Sequence, residues 1–225
     1  MSQSKPTVRW GYRFLRGLSR LIFKLYFRGR VLELKRVPET GGVLLACNHQ
    51  SFLDPVAAAL ALPRECHFMA RDTLFRNPLF GRLIVYLNAF PVKRGAADIS
   101  AVKEILRRLR NEAAVVVFPE ATRTRDGSIG KINANSLSIA KKAGVPIVPT
   151  FIDGAFEAFP RGSRWPRPRK IRVTYAEAIT DVQAREWPVE RIVETVTQRL
   201  HEIQQQSPFK GKGGPNMIHH NAASS

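Results

Sequence analysis

The sequence is poor in cysteine and in acidic residues, and it has no long uninterrupted apolar run. Cys47 and Cys66 are the only two cysteines among 225 residues, too few for a disulfide-stabilised scaffold and without the spacing of a metal site. We therefore expect two free thiols in a reducing compartment. No segment reaches the roughly 18 consecutive apolar residues of a membrane span, and recurring arginines argue against an N-terminal signal peptide. Any membrane contact is expected along a surface.

Basic residues outnumber acidic ones by 36 to 18, which gives a formal net charge of +18. The hydrophobic content of 44% is typical of a protein with a packed core. A strongly basic protein is attracted to polyanions, which include nucleic acid, acidic lipid and phosphorylated small molecules. Composition alone leaves these three open.

An amphipathic helix is predicted over residues 9–28. At about 100° per residue, basic side chains fall on one helical face and apolar ones on the other. The basic face comprises Arg9, Arg13, Arg16, Arg20 and Lys24, and the apolar face comprises Trp10, Phe14, Leu18, Leu21, Ile22 and Leu25. The pattern is typical of a helix lying in a membrane surface with its arginines on lipid phosphates. A helix packed on the core with a solvated basic face is the alternative.

Strand-like and helix-like segments alternate along the rest of the chain. Apolar runs predict strands at 43–47 and 115–118, and strand-like composition predicts two more at 147–152 and 171–175. Helices are predicted at 54–62, 97–111, 134–143 and 188–205. This order predicts an α/β fold with a mixed, largely parallel sheet flanked by helices. Three parts are expected: a basic amphipathic membrane-association segment at 1–36, a folded domain at 37–205 and a disordered tail at 206–225.

His49 and Asp54 are suited to proton transfer. They lie between a predicted strand and a predicted helix, and Asp54–Pro55 is typical of an N-cap and first helical position. In such a turn the Asp can accept a hydrogen bond from one imidazole nitrogen and leave the other to take a proton from a bound hydroxyl. The pair therefore favours direct attack of an alcohol on an activated carbonyl. A purely structural His–Asp contact is the alternative.

A second polar cluster follows the predicted strand at 115–118. The carboxyl ends of strands are where open α/β sheets bind their ligands. Arg123 can bind a phosphate in a forked geometry, and Glu120 can hold that guanidinium or a substrate hydroxyl. Arg94 offers a further phosphate contact. A solvated surface charge is the alternative for each arginine.

Several segments, in order, resemble the conserved boxes of the glycerolipid acyltransferases. Residues 48–54 (NHQSFLD) match the NHxxxxD box, and residues 118–124 (FPEATRT) resemble the FPEGTRS box. Residues 90–94 (FPVKR) resemble the second block, 145–149 (VPIVP) the VPIVPV block, and 74–81 (LFRNPLFG) the L-x-x-x-P-x-x-G segment. The resemblance covers about residues 43–152 and is greatest for the 1-acyl-sn-glycerol-3-phosphate acyltransferases.

This resemblance implies transfer of a fatty acyl group from acyl-CoA or acyl-carrier protein to 1-acyl-glycerol-3-phosphate, forming phosphatidic acid. It makes 37–205 the catalytic domain, with His49 as the general base and Asp54 as its orienting partner. The implied acceptor-binding groups are Arg94, Glu120 and Arg123, and the supporting residues are Asn48 and Thr122. No metal or bound cofactor is implied, because the acyl thioester is a co-substrate.

The partners implied by the resemblance are a lysophospholipid acceptor, the acyl donor and an anionic membrane surface. The implied location is the cytoplasmic face of a membrane, peripheral or monotopic. The chain departs from the family pattern at Ala121 and Thr124, which replace Gly and Ser, at Asn88, which replaces a frequent Gly, and at 132–135 (INAN), which replaces F-K-x-G. These changes spare the His and the Asp but leave another lysophospholipid or lyso-lipid acceptor as an alternative.

A nucleic-acid-binding module is an alternative of another class. It would use Trp165 for stacking and the basic run Arg161, Arg164, Arg167, Arg169, Lys170 and Arg172. No nucleic-acid-binding fold is recognisable, and basic loops often face acidic membrane, so no nucleic acid is expected as a partner. A third possibility is a catalytically inactive, lipid-binding family member, against which the intact His49 and Asp54 count.

Overall fold

The structure, a computed structural model, describes residues 10–92, 99–160 and 162–209. Seven strands in this part of the chain form one sheet. They are β1 (Arg30–Leu32), β2 (Val43–Cys47), β3 (Cys66–Arg71), β4 (Ala89–Val92), β5 (Ala114–Val117), β6 (Ile147–Asp153) and β7 (Arg172–Tyr175). Their order is β1-β7-β6-β2-β5-β3-β4, and neighbours pair in parallel except β6 and β7. The predicted mixed, largely parallel sheet is confirmed.

Eight α-helices within the described ranges accompany the sheet. They are α1 (Trp10–Leu25), α2 (Asp54–Ala61), α3 (Pro78–Tyr86), α4 (Ile99–Arg110), α5 (Ala134–Ala143), α6 (Ala155–Ala158), α7 (Asp181–Glu186) and α8 (Val189–Gln205). No helix in these ranges is long and apolar enough to cross a membrane.

Two apolar cores lie on opposite faces of the sheet. Alternate residues of β2 belong to different cores: Val43, Leu45 and Cys47 join the one that contains α2, while Leu44 and Ala46 join the one that contains α5. All five are fully buried, which is why the strand is a continuous apolar run rather than an alternating one. Helices α1, α2 and α3 cover the first face, and α4, α5, α7 and α8 cover the second.

The four predicted strands are present, whereas β1, β3 and β4 were not predicted. β3 (CHFMAR) carries polar residues, β4 (AFPV) contains Pro91, and β1 has only three residues. None of them has the long apolar run that indicates a buried strand. Their extended conformation depends on pairing with β5, β3 and β7. Both cysteines are buried and free, as predicted.

Helix α1 packs on the domain through the side that carries its arginines. Phe23 and Phe27 are buried in the core, and Arg20 donates to the carbonyl oxygens of Leu60 and Leu62 at the end of α2, both at 2.8 Å. Arg16 donates to Pro63 O at 3.3 Å. The prediction that these two arginines meet lipid phosphates is therefore wrong, because the negative end of the α2 dipole holds them. Arg9 and the side chain of Arg13 lie outside the described residues.

The apolar face of α1 is exposed instead. Its large apolar side chains, Trp10, Phe14, Leu18, Leu21, Ile22 and Leu25, are between 46% and 82% accessible. The predicted boundary at residue 36 falls after β1, which is part of the same sheet. Residues 10–36 are therefore not separate from the domain at 37–205, since both α1 and β1 pack on it, and residues 1–9 lie outside the described residues.

Contacts between the chain and the domain extend past residue 206, where the disordered tail was predicted to begin. Ser207 is buried and donates its hydroxyl to Asp153, and the Arg172 guanidinium lies 5.3 Å from the centre of the Phe209 ring. Residues 207–209 are therefore packed rather than disordered. The rest of the predicted tail, 210–225, lies outside the described residues.

Candidate active site

The two polar boxes meet at the carboxyl ends of neighbouring parallel strands. β2 and β5 pair directly, with Ala46 opposite Val117. The NHQSFLD segment leaves the end of β2, and the FPEATRT segment leaves the end of β5. Because parallel strands end at the same edge of a sheet, both segments lie at one edge, as expected for a ligand site in an open α/β fold.

His49 and Asp54 form a close pair at this edge. His49 Nδ1 lies 2.8 Å from Asp54 Oδ2, and the same oxygen accepts the backbone N–H groups of Gln50 and Ser51, each at 2.6 Å. Asp54 is fully buried and is the first helical residue of α2, whereas the sequence predicted it as the N-cap, a position that Leu53 occupies. The His49 side chain keeps 16% of its accessible surface. With Nδ1 engaged by Asp54, Nε2 is the nitrogen that can accept a proton from a substrate.

Burial raises the pKa of the Asp54 carboxyl, and the hydrogen bonds from His49, Ser51 and Gln50 oppose that rise. These bonds favour the ionised form, in which the carboxylate can hold the Nδ1–H tautomer. The His49 ring also stacks on Phe118, with ring centres 4.2 Å apart and planes inclined by 24°. Asp54 and Phe118 together fix the orientation of the imidazole.

Glu120 joins three segments of the site. Its Oε1 accepts the backbone N–H of His49 at 2.9 Å, and its Oε2 accepts that of Gly130 at 2.8 Å. A Cβ atom at position 130 would lie 2.8 Å from Glu120 Oε2, so a larger residue there would displace this carboxylate. Burial raises the pKa of Glu120, and the two backbone hydrogen bonds oppose the rise. The sequence predicts contacts with a guanidinium or a substrate hydroxyl for this carboxylate, whereas in the structure it accepts hydrogen bonds from two backbone N–H groups.

Arg123 lies against the same turn. Its guanidinium carbon is 3.6 Å from the centre of the Phe52 ring, and the neighbouring Thr124 N–H donates to His49 O at 2.9 Å. Gln50 donates to Gly127 O at 3.0 Å. The FPEATRT box is thus attached to the NHQSFLD turn by contacts on both sides of Arg123, which places a cation beside the His–Asp pair.

The remaining predicted residues have other positions. Asn48 is buried below the turn, where its side chain exchanges two hydrogen bonds with the backbone of Ile152 in β6, at 2.9 and 2.7 Å. Thr122 is exposed, and its hydroxyl donates to Arg123 O at 3.2 Å. Arg94 lies outside the described residues, two positions after the end of β4. Because β4 runs parallel to β3, and β3 to β5, that strand ends at the same edge of the sheet.

Two of the departures from the family pattern have a backbone explanation. Ala121 has a φ of 58° and Asn88 a φ of 67°, both in the left-handed region that favours glycine. Asparagine tolerates this region better than most residues, and its side chain here donates to Glu65 at 2.9 Å. Ala121 lacks such compensation. In the segment 132–135, which replaces F-K-x-G, Asn133 forms the N-cap of α5 by accepting the N–H of Asn135.

An apolar groove of about 380 Å³ lies between α1 and α2. Its lining includes Ile22, Phe23, Leu53, Ala57 and Leu60. Leu53, one of the lining residues, directly precedes Asp54 in the chain. Among the described residues, no group of three or more His, Cys, Asp or Glu side chains is placed to hold a metal ion.

The Acyltransferase family model matches residues 28–153, which include β2, the His–Asp pair and the FPEATRT box. The chain belongs to the Acyltransferase family. The match covers more than half of the chain and ends with β6.

Individual relatives carry names of one activity. The chain is 33% identical over 141 residues to the chloroplastic 1-acyl-sn-glycerol-3-phosphate acyltransferase BAT2 of Brassica napus, a match that covers 61% of this chain and 41% of that protein. It is 25% identical over 201 residues to the 1-acyl-sn-glycerol-3-phosphate acyltransferase of Bacillus subtilis, covering 86% of this chain and 96% of that protein. The chain thus spans less than half of the plant acyltransferase and nearly all of the bacterial one.

A solved structure has the same fold. The crystal structure of the 1-acyl-sn-glycerophosphate (LPA) acyltransferase PlsC from Thermotoga maritima matches with a TM-score of 0.74 at 24% identity, over 88% of this chain and 80% of that one. The likeness supports the α/β architecture of the family member described here.

Several contacts that shape the site were not predicted from the sequence. Phe118 stacks on His49, Phe52 lies under Arg123, and the backbone N–H of Thr124 holds His49. Phe52 and Phe118 lie within the two boxes, so the sequence alone could have indicated that they are near the site. Their contacts were not, because each pairs residues that are about 70 positions apart in the chain.

Proposed function

We propose that the protein transfers a fatty acyl group from an acyl thioester to the free hydroxyl of 1-acyl-sn-glycerol-3-phosphate, forming phosphatidic acid. The observation that carries this proposal is the His49–Asp54 pair at the edge of the sheet, beside Arg123. The names of the relatives support the same acceptor. The donor is acyl-CoA or acyl-carrier protein, and both present the same thioester carbonyl.

The geometry supports direct transfer with His49 as the general base. Nε2 takes the proton of the acceptor hydroxyl as its oxygen attacks the thioester carbonyl. The buried Asp54 carboxylate, 2.8 Å from Nδ1, stabilises the imidazolium that forms. Collapse of the tetrahedral intermediate breaks the C–S bond, and the thiolate leaves with the proton from His49. The products are an ester and a free thiol, and no covalent acyl-enzyme is needed.

Arg123 is the described cation best placed for the acceptor phosphate. It is half-buried against Phe52, and Thr124 fixes the adjoining backbone to His49. A guanidinium can bind phosphate through two parallel hydrogen bonds. Arg94 is proposed to contribute from beyond the end of β4, which β3 separates from β5 at the same edge of the sheet. Glu120, Asn48 and Thr122 are proposed to act by supporting the turn, since their described contacts are with protein groups.

Acyl chains and membrane need apolar surfaces, and two are available. The groove between α1 and α2 has the volume of a small ligand pocket. The exposed apolar face of α1 fits the acyl boundary of a bilayer, as in other interfacial helices. We therefore place the enzyme, peripheral or monotopic, on the cytoplasmic face of a membrane that contains anionic lipid, where thioester donors are soluble.

The test is acyl transfer by purified protein on anionic vesicles that contain lysophosphatidic acid, with each thioester donor in turn and His49→Ala as the control. Phosphatidic acid formed by the wild type and not by the variant supports the reaction and the base. Product only with a different lyso-lipid would replace the proposed acceptor. Activity that survives in His49→Ala would refute the mechanism, provided that both proteins unfold at similar urea concentrations.

A further inference from the structure

Two of the arginines that the sequence predicts on lipid phosphates, Arg16 and Arg20, point toward the domain and not toward the exposed apolar face of α1. Arg20 is part-buried on the carbonyl oxygens of α2, and Arg16 donates to Pro63. Apolar surface and cationic side chains act together when a helix binds an anionic bilayer. A surface that works this way therefore needs charge from a neighbouring part of the chain.

Residues 162–170, here called the Trp165 loop, supply such charge. The loop contains Arg164, Arg167, Arg169 and Lys170, and no acidic residue. All four basic residues are exposed. Trp165 is 80% accessible. Exposed tryptophan flanked by arginine is the composition found at the headgroup level of membranes.

The Trp165 loop adjoins the end of α1. The Tyr26 hydroxyl, one residue after α1 ends, donates to Pro166 O at 2.9 Å. Pro166 also lines the apolar groove together with Ile22 and Phe23 of the helix. The exposed apolar residues of α1 and the basic loop thus belong to neighbouring parts of one surface.

A further basic region continues this surface. Arg28 lines a cleft with Arg169 and Lys170, in which Glu157 is the acidic lining residue. Arg30 in β1 is exposed and stands opposite Arg172 in the sheet register. The net charge of the region is therefore positive, and it complements a layer of lipid phosphates.

The loop is held in place rather than being free to collapse. Arg167 N–H donates to Ala158 O at 2.7 Å, and Ser163 N–H donates to Pro160 O at 3.1 Å. Pro166 and Pro168 restrict the backbone on both sides of Arg167. An exposed tryptophan on a restrained backbone costs less conformational entropy when it binds.

We propose that the Trp165 loop is a second membrane-binding element, which inserts Trp165 at the headgroup level and binds lipid phosphates through Arg164, Arg167 and Arg169. Its partner is a bilayer that contains anionic phospholipid. The inference rests on the proposed function only in assuming that the protein acts at a membrane. Single-stranded nucleic acid is the less suitable partner, because Trp165 is the only aromatic residue of the loop and stacking platforms use several.

Fluorescence from Trp165 tests the insertion directly. The chain has three tryptophans, so Trp10→Phe with Trp187→Phe leaves Trp165 as the sole emitter. On vesicles of anionic phospholipid with brominated acyl chains, we expect quenching and a blue shift relative to unbrominated vesicles. Because Trp187 packs under Arg191, the same titration with Trp165→Phe in the otherwise unchanged chain provides a second reading. No difference in quenching between that variant and wild type would overturn the insertion.

Vesicle sedimentation tests the charge contribution. The triple change Arg164→Gln, Arg167→Gln and Arg169→Gln should weaken binding to anionic vesicles roughly a hundredfold at low salt, at about 1 kcal/mol for each charge. The control changes Lys103, Arg110 and Lys142 to Gln, which removes equal charge from exposed positions on helices that cover the opposite face of the sheet. Equal losses in the two triple variants would reduce the effect to net charge and overturn the proposal.

Two further measurements separate the possible failures. Acyl transfer in detergent micelles should be unchanged in the triple variant Arg164→Gln, Arg167→Gln and Arg169→Gln. A loss of activity in micelles would place the loop in substrate binding rather than in membrane binding. Single-stranded DNA bound as tightly as anionic vesicles, and lost in the same variant, would assign the surface to nucleic acid. Membrane binding that persists in the absence of any acyltransferase activity would refute the proposed function and leave this inference standing.

Discussion

Asp54 has both a catalytic and a structural role, and substitutions at this position separate the two. Its Oδ2 accepts hydrogen bonds from His49 Nδ1–H at 2.8 Å and from the backbone N–H groups of Gln50 and Ser51 at 2.6 Å. Asparagine keeps one oxygen for the backbone donors but carries no charge. Alanine removes the acceptor entirely. We therefore expect Asp54→Asn to affect mainly activity, and Asp54→Ala to affect both activity and stability.

The magnitudes follow from these contacts. An imidazolium and a carboxylate whose charge centres lie about 4 Å apart attract by about 4 kcal/mol at an effective dielectric constant near 20. Losing that attraction in the transition state lowers kcat by roughly a thousandfold. For stability, Asp54→Ala leaves two buried N–H groups without an acceptor, at about 1–3 kcal/mol each, so about 2–6 kcal/mol is lost. Asp54→Asn should lose only about 1 kcal/mol, because relief from burying a charge offsets weaker hydrogen bonds.

Thiol release from the acyl thioester gives kcat, and urea unfolding gives the free energy of unfolding of the same preparations. His49→Ala is the reference for a missing base. If Asp54→Asn retains more than about a tenth of wild-type kcat, a barrier change below about 1.4 kcal/mol, then Asp54 does not stabilise the imidazolium. If Asp54→Ala is as stable as wild type, the two backbone N–H groups do not depend on the carboxylate.

Two further predictions concern stability. Ala121→Gly relieves the positive φ at that position and should raise the free energy of unfolding by about 0.5–1 kcal/mol, or Tm by about 2 °C, after allowing for the entropy of glycine in the unfolded chain. The control is Ala59→Gly in the interior of α2, which should lower Tm, and an equal response of both proteins would refute the backbone argument. Burial, followed by the charge of Arg108, lowers the pKa of His67 to about 4 from 6.5. The unfolded chain therefore binds this proton more readily than the folded protein does. The contribution of His67 to the free energy of unfolding is complete above the unfolded-state pKa and is lost as the pH falls from about 6.5 through about 4. His67→Gln should therefore lose less stability than wild type between about pH 7 and about pH 4.5, measured by urea midpoints, and an identical loss in both proteins would contradict the lowered pKa.

The sequence by itself was enough to predict the sheet type and the contact between His49 and Asp54. β2 and β5 are buried on both faces, so they appear as unbroken apolar runs between segments of helical periodicity. His49 and Asp54 lie close together in one turn, which local geometry alone can bring into contact. Signals of this kind are carried by neighbouring residues, and they survive in a single sequence.

The tertiary structure decided what depends on distant partners. β1, β3 and β4 have weak local patterns and are strands because they pair with other strands. Glu120 carries a charge suited to a substrate, yet its oxygens accept N–H groups from positions 49 and 130. The direction of α1 was also undetermined, because an amphipathic pattern gives two faces but does not say which one meets the protein.

Helix α1 shows the physical reason for that division. Arg16 and Arg20 face the domain because the end of α2 offers carbonyl oxygens and a negative dipole, and Phe23 and Phe27 fill the core beside them. The same packing leaves the apolar face outward, next to the Trp165 loop about 140 residues further along the chain. Sequence periodicity records the chemistry of each face, whereas the free energy of packing against distant elements decides which face is buried.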